Sequence, residues 1–202
     1  MQYALLDESG RLADRGDRII TLVAIVAKTL VGLDKIIPKV KKKIPSKRTK
    51  LAEIKFSTTG EKTRIRVLKE IADRDLPIYT LVIDKEGRKI FDTPENYSLL
   101  VAEVLRAAFR DFPEIRHIII DRHFTWVRQR EKFNELLQRK IGKEVFIEHL
   151  DSQQNTVVSL PDFVAGAVRT DARGQPEYKE IISKKVRKEL VKTWREIKKV
   201  KA

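Results

Sequence analysis

The sequence predicts an α/β fold: a mixed β-sheet flanked by helices, with a basic C-terminal helix. Three observations carry this. Two apolar, β-branched runs, 2–7 and 18–27, are separated by a polar loop containing Gly10 and Gly16, the pattern of an antiparallel hairpin. From residue 77 onward, short apolar strands alternate with helix-period segments, which implies parallel neighbours under a cover of helices. Residues 178–200 then place Ile182, Val186, Leu190, Trp194 and Ile197 on one helical stripe with lysines around the rest.

Taken in order, Leu33, Ile36, Ile37, Val40 and Ile44 recur at helical spacing and predict an amphipathic helix over 33–44, broken by Pro45. Residues 51–57 (LAEIKFS) alternate and predict a short extended stretch. Thr58-Thr59-Gly60-Glu61 reads as a capping box opening a helix through Ile65, Leu68 and Ile71. A strand over 77–84 follows. Thr93-Pro94 is an N-cap with proline at the first helical position, opening a helix that carries Tyr97, Leu100, Val104 and Leu105. Residues 116–121 (RHIIID) form a short buried strand ending in an acid. A helix near 126–140, an alternating strand over 144–150 and a helix near 160–170 starting at Pro161-Asp162 complete the alternation. No internal repeat or low-complexity linker is present. The chain divides into one domain over 1–175 and an amphipathic helix over 176–202 that packs on it or extends it.

Composition narrows the function classes. The absence of cysteine excludes disulfides and thiolate metal sites. No stretch approaches the apolar length of a membrane span, and no basic leader precedes the first strand; a cytoplasmic protein with no membrane partner is the expectation. The Lys- and Glu-rich chain, with one Met, has a thermophile-like composition. The net charge of +14 is concentrated: residues 35–50 carry eight lysines and arginines and no acid, and residues 179–201 carry ten against Glu180, Glu189 and Glu196. Two basic segments on an otherwise balanced chain predict a polyanionic partner, RNA or DNA, with Lys41, Lys42, Lys43, Lys47 and Arg48 as backbone contacts. The bland alternative is a pair of solvated helix faces. Trp126, Trp194 and Phe124 are candidates for base stacking, although Trp194 lies on the apolar stripe and reads better as packing.

The acids form the candidate centre. Asp7 ends the first strand, Asp121 ends a central one, Asp162 sits in the first turn of a helix, and Glu53 precedes another. Strand ends are where open α/β sheets build sites. Each acid has a structural alternative: Asp7 as a turn residue, Asp162 as a charge complementing a helix dipole. Together, four carboxylates without cysteine make a hard, oxygen-rich set suited to Mg²⁺ or Mn²⁺, and paired divalent ions are a standard device for phosphodiester hydrolysis. Glu8, Lys55 and His123 are accessory candidates. Strand alternation turns Glu8 away from the face of Asp7; Lys55 reads first as a surface lysine and second as a phosphate contact, and His123 first as a plain loop histidine and second as a proton shuttle or phosphate contact.

Four segments in order, Asp7-Glu8-Ser9-Gly10, Glu53-Ile54-Lys55-Phe56-Ser57, Ile118-Ile119-Ile120-Asp121 and Ser159-Leu160-Pro161-Asp162-Phe163-Val164-Ala165-Gly166-Ala167, resemble the RNase H-like superfamily. In particular they resemble the uncharacterised family numbered 3800 among the domains of unknown function. The resemblance spans residues 3 to about 170. Ser159 stands where that family carries Gln, and Pro161 where it carries Ala before the acid. The resemblance implies an RNase H-like fold with an acidic, nuclease-like centre and implies no established substrate. Three functions follow as expectations. The first is a metal-dependent nuclease with a two-metal centre at Asp7, Glu53, Asp121 and Asp162. The second is a nucleic-acid-binding module that keeps the fold without turnover. The third is an interaction protein using the basic C-terminal segment on an acidic partner.

Overall fold

The computed structural model describes residues 2–43 and 54–199. Its centre is one six-stranded sheet built from β1 (Gln2–Ser9), β2 (Ile19–Ala27), β3 (Ile78–Asp84), β4 (Ile115–Asp121), β5 (Phe146–Leu150) and β6 (Val186–Thr193), in the order β5-β4-β1-β2-β3-β6. β1 and β2 form the expected antiparallel hairpin, and β3 runs antiparallel to β2. β4 is parallel to β1, β5 to β4, and β6 to β3. Only β2 therefore opposes the rest. The C-terminal ends of the other five strands, and the start of β2, share one rim.

Among the described residues seven helices cover the sheet: α1 (Ile36–Lys41), α2 (Glu61–Ala72), α3 (Pro94–Asp111), α4 (Val127–Ile141), α5 (Ser159–Asp171), α6 (Glu177–Ile182) and α7 (Trp194–Lys199). They split into two layers, which is why β1 and β2 are continuous apolar runs with both faces buried. On one face Ala4, Leu6, Leu22, Ile118 and Ile120 pack against α3, α4 and α7. On the other, Leu5, Val23, Ile25 and Ile119 pack against α1, α2, α5 and α6. Thr21 donates its hydroxyl to the Ala165 carbonyl at 2.9 Å, fixing α5 on β2. Among the described residues no helix is long and apolar enough to cross a membrane.

The N-cap of α3 is as expected: the Thr93 side chain accepts from the Asn96 N–H, with Pro94 at the first helical position. Four expectations change. The helix over 33–44 contracts to α1. The capping box does not form, because Gly60 caps α2 and the Thr59 hydroxyl turns back to the Lys55 carbonyl at 2.9 Å. Residues 54–57 form a loop and turn rather than a strand. The single C-terminal helix is replaced by α6, β6 and α7, so the 176–202 segment is not a separate helical extension. A separation of four residues, such as Val186 to Leu190, puts side chains on one face in a helix and in a strand alike. The unpaired edge of β3 supplies a hydrogen-bond ladder that a helix would forgo.

Candidate active site

The β1–β4 pairing places Leu6 opposite Ile120, so Asp7 and Asp121 follow at adjacent positions on the shared rim. Both continue the face of Leu5 and Ile119, which lies toward α5. Asp162, in the first turn of α5, comes to the same place. Its Oδ2 accepts the Phe56 N–H at 2.7 Å, which ties the 54–57 loop to the rim.

Gly166 makes this tie possible. A Cβ there would fall 2.3 Å from the Phe56 ring, so only glycine lets that ring lie against α5. The ring also meets Phe163 and Tyr178 edge-on, and the Arg64 guanidinium lies over it. Lys55 is thereby carried to the rim, where its charge acts on Asp121. Glu53, two residues earlier, lies outside the described residues, as do Lys47 and Arg48. Lys41 ends α1, followed by Lys42 and Lys43, on the α5 side of the sheet. Part of the basic character is neutralised internally: Lys39 pairs with Glu70 at 2.7 Å, Lys179 with Asp171 at 2.6 Å, and Lys192 with Glu103.

The electrostatics of the rim are uneven. Asp7 is only 9% exposed. Burial, then the negative charges of Glu8, Asp162 and Asp121, push its carboxyl well above its ordinary value, against one hydrogen bond from the Glu8 N–H at 2.8 Å. Burial also raises Asp121. Lys55 and the N–H groups of Arg122 (2.9 Å) and Ser152 (3.2 Å) oppose that rise only in part.

Glu8 points to the opposite face, toward α3, as strand alternation requires. There it meets a ready-made cation. His123 Nδ1 donates to Glu8 at 2.9 Å and Nε2 to Asp92 at 2.6 Å, while the Tyr97 hydroxyl donates to the second Glu8 oxygen at 2.5 Å. The imidazole lies flat on the Tyr97 ring, centroids 3.9 Å apart and 7° from parallel. Burial alone would lower the pKa of His123, but Glu8 and Asp92 raise it to about 10, so the ring is charged at neutral pH. Glu8 answers in kind: burial raises it, yet the imidazolium and its hydrogen bonds bring it below its ordinary value. With both ring nitrogens engaged by carboxylates, His123 has no N–H left for a phosphate. A cavity of about 510 Å³ opens beside this cluster, walled by Glu8, Asp92, His123 and the 10–14 loop.

The loop is rigidly held. Gly10 has φ +110°, and a Cβ there would strike Ile20 at 2.7 Å, which accounts for the glycine after Asp7-Glu8-Ser9. Lys85, fully buried, donates to the carbonyls of Arg11 (2.9 Å), Leu12 (3.0 Å) and Asp14. Asp84 is spoken for by Arg18 at 2.8 Å.

The structure thus brings together Asp7, Asp121, Asp162 and Lys55, and separates Glu8 and His123 onto the far face. Asp92, Tyr97 and Lys85 were not singled out by sequence. Tyr97 reads there as one position on an apolar helix face. Among the described residues no three or more carboxylates or histidines stand close enough to enclose a metal ion. The donors on the Asp7 face are nonetheless all oxygens, with charges that repel one another.

No protein-family model and no curated protein matches the sequence. Solved structures do. A chain in the PCNA:RNase HII complex from Archaeoglobus fulgidus is 17% identical, with 89% of this chain and 78% of that chain covered and a TM-score of 0.50. The ribonuclease H2 from Pyrococcus horikoshii OT3 is 18% identical, with 89% and 77% covered and a TM-score of 0.53. The mixed sheet with helices on both faces is therefore an RNase H-like fold.

Proposed function

We propose that the protein is a metal-dependent nuclease that hydrolyses phosphodiester bonds of RNA or DNA at Asp7, Asp121 and Asp162, with Glu53 as a fourth carboxylate. One observation carries the reading: Asp7 is buried on a strand-end rim, and the charges acting on it most strongly are all negative. Such a group is held at a cost unless a cation joins it. Mg²⁺ or Mn²⁺ suits this hard oxygen set and, when bound, would supply an activated water and charge neutralisation at the leaving oxygen. The chain's own contributions are distinct. Asp7 and Asp121 present carboxylates from adjacent strands. The Phe56–Asp162 bond positions Asp162 and brings Lys55 up as a phosphate contact. The Glu8–His123–Asp92 cluster fixes the neighbouring loop rather than moving a proton. The fold shared with the two archaeal structures named for RNase HII and ribonuclease H2 supports the nuclease reading, as does the motif resemblance to the family numbered 3800.

A second reading has its own support: no three described acids are gathered tightly enough for an ion, which favours a binding module that keeps the fold without turnover. The test is incubation of the full chain with labelled RNA, DNA and hybrid substrates plus Mn²⁺ or Mg²⁺. Cleavage by wild type that is lost in Asp7→Asn supports the nuclease. Binding without cleavage under every condition supports the module.

A further inference from the structure

A cavity of about 760 Å³ lies away from the carboxylates. It sits between the loop after β3, the start of α3 and α7. Six exposed cations line it: Arg15, Arg88, Lys89, Arg195, Lys198 and Lys199. No acid does. Among the described residues the one ion pair made by these six is Arg195 with Glu86, at 3.8 Å. The acid on α7, Glu196, accepts the N–H and hydroxyl of Thr193 at 2.7 and 2.9 Å, and its charge also acts on Lys199. Phe91, 65% exposed, stands in the wall with Lys89 over its ring at 5.3 Å. Trp194 is buried and contributes to the floor. Lys198 also lies over the Trp194 ring at 5.3 Å, yet so many like charges converging on one groove repel each other. Large aromatic rings are normally placed in cores, not among lysines in water.

We infer that this groove binds a single-stranded stretch of nucleic acid, its phosphates on the six cations and a base stacked on Phe91. A cationic groove with an exposed aromatic platform is the arrangement that binds unpaired strands without reading sequence. Its position gives the strand a direction. β3 and β6 end at the same rim as β1 and β4, and Asp92, next to Phe91, already touches His123 beside Glu8. A strand leaving the groove at Phe91 passes the Glu8–His123 cavity and reaches the Asp7 rim. Strand spacing puts β3 about 10 Å from β1. The inference rests on nucleic acid being the partner in the proposed function, but not on catalysis.

The test is fluorescence anisotropy of the full chain with a labelled single-stranded oligonucleotide of about 12 nucleotides, in chelator so that nothing is hydrolysed. Arg88→Glu with Lys198→Glu should weaken binding by about tenfold or more. It should also flatten the log-log salt dependence by about 1 to 2, since each phosphate contact on a single strand contributes about 0.7. Phe91→Ala should weaken it by roughly tenfold with an unchanged salt slope. Lys28→Glu with Lys69→Glu makes the same charge change at the opposite rim and on the other face, and should alter affinity by less than about twofold. Groove variants that bind like wild type would overturn the inference. So would equal losses in the distant pair, or a duplex bound as well as the single strand and indifferent to Phe91→Ala. Cleavage with Mn²⁺, measured in parallel, separates the two readings. Lost binding in the groove variants, with no cleavage even by wild type, would keep the groove and remove the nuclease. Wild-type binding in those variants, with cleavage that needs Asp7, would do the reverse.

Discussion

Asp7 and Glu8 are neighbours in sequence and opposites in environment. Both are carboxylates carried to the same rim by β1, and alternation sends them to different faces of the sheet. Glu8 finds a protonated imidazole, a tyrosine hydroxyl and a stacked aromatic wall, and its acidity strengthens. Asp7 is buried, beside the negative charges of Glu8, Asp162 and Asp121, and its acidity weakens. The fold sets a cation directly on Glu8, whereas the charges acting most strongly on Asp7 are negative and Lys55 acts on Asp121 beside it. Under the proposed function the Asp7 face is the one that would take a cation from solution.

The largest effect should fall on chemistry. Asp7→Asn is expected to reduce any Mn²⁺-supported cleavage by about 100-fold or more, the scale of losing one charge-stabilising group. Glu8→Gln should cost far less, and equal losses in the two variants would erase the distinction between the faces.

Next comes the stability of the Glu8 side. The pKa of His123 lies above its ordinary value of 6.5 in the folded state, at about 10. The charged ring therefore stabilises the fold fully below about 6.5, and this contribution is lost as the pH rises through 10. His123→Gln should destabilise by on the order of 2–4 kcal/mol near pH 6. In denaturant titrations the gap to wild type should narrow toward pH 10. A gap independent of pH would mean that the ring packs but carries no charge.

Gly166→Ala should cost about 1–3 kcal/mol, the usual range for overpacking, because its new methyl would displace the Phe56 ring. The same change should loosen the Phe56–Asp162 hydrogen bond, so amide exchange at Phe56 should accelerate beyond what global destabilisation explains. The smallest effect belongs to Lys55→Ala: a further rise in the Asp121 pKa, read by NMR titration, with stability changed by less than about 1 kcal/mol. A fall in that pKa would show that Lys55 does not act on Asp121.

Much of this contrast was legible in the sequence. The period-two rule alone turns Glu8 from Asp7, and strand-end placement brings Asp7 and Asp121 to one rim. Asp162 follows from its helix start. The rest depends on contacts between distant segments. Nothing local marks Tyr97 and Asp92 as the clamp on His123, because a helix-face tyrosine and a loop aspartate look the same whether or not a histidine arrives between them. The strand β6 was hidden for a different reason: its apolar spacing fits both periods, and only the open edge of β3 decides. That correction has a practical consequence, since removing residues 179–202 would strip a strand from the sheet rather than detach a tail.

The most direct test of the unequal faces is thermal unfolding with and without Mn²⁺ for wild type, Asp7→Asn and Glu8→Gln. An ion at about 100 times its Kd stabilises the native state by about 2.7 kcal/mol, a Tm increase of roughly 5–10 °C for a chain of this size. That increase is expected in wild type and in Glu8→Gln, and its loss in Asp7→Asn. A full wild-type increase in Asp7→Asn would contradict it.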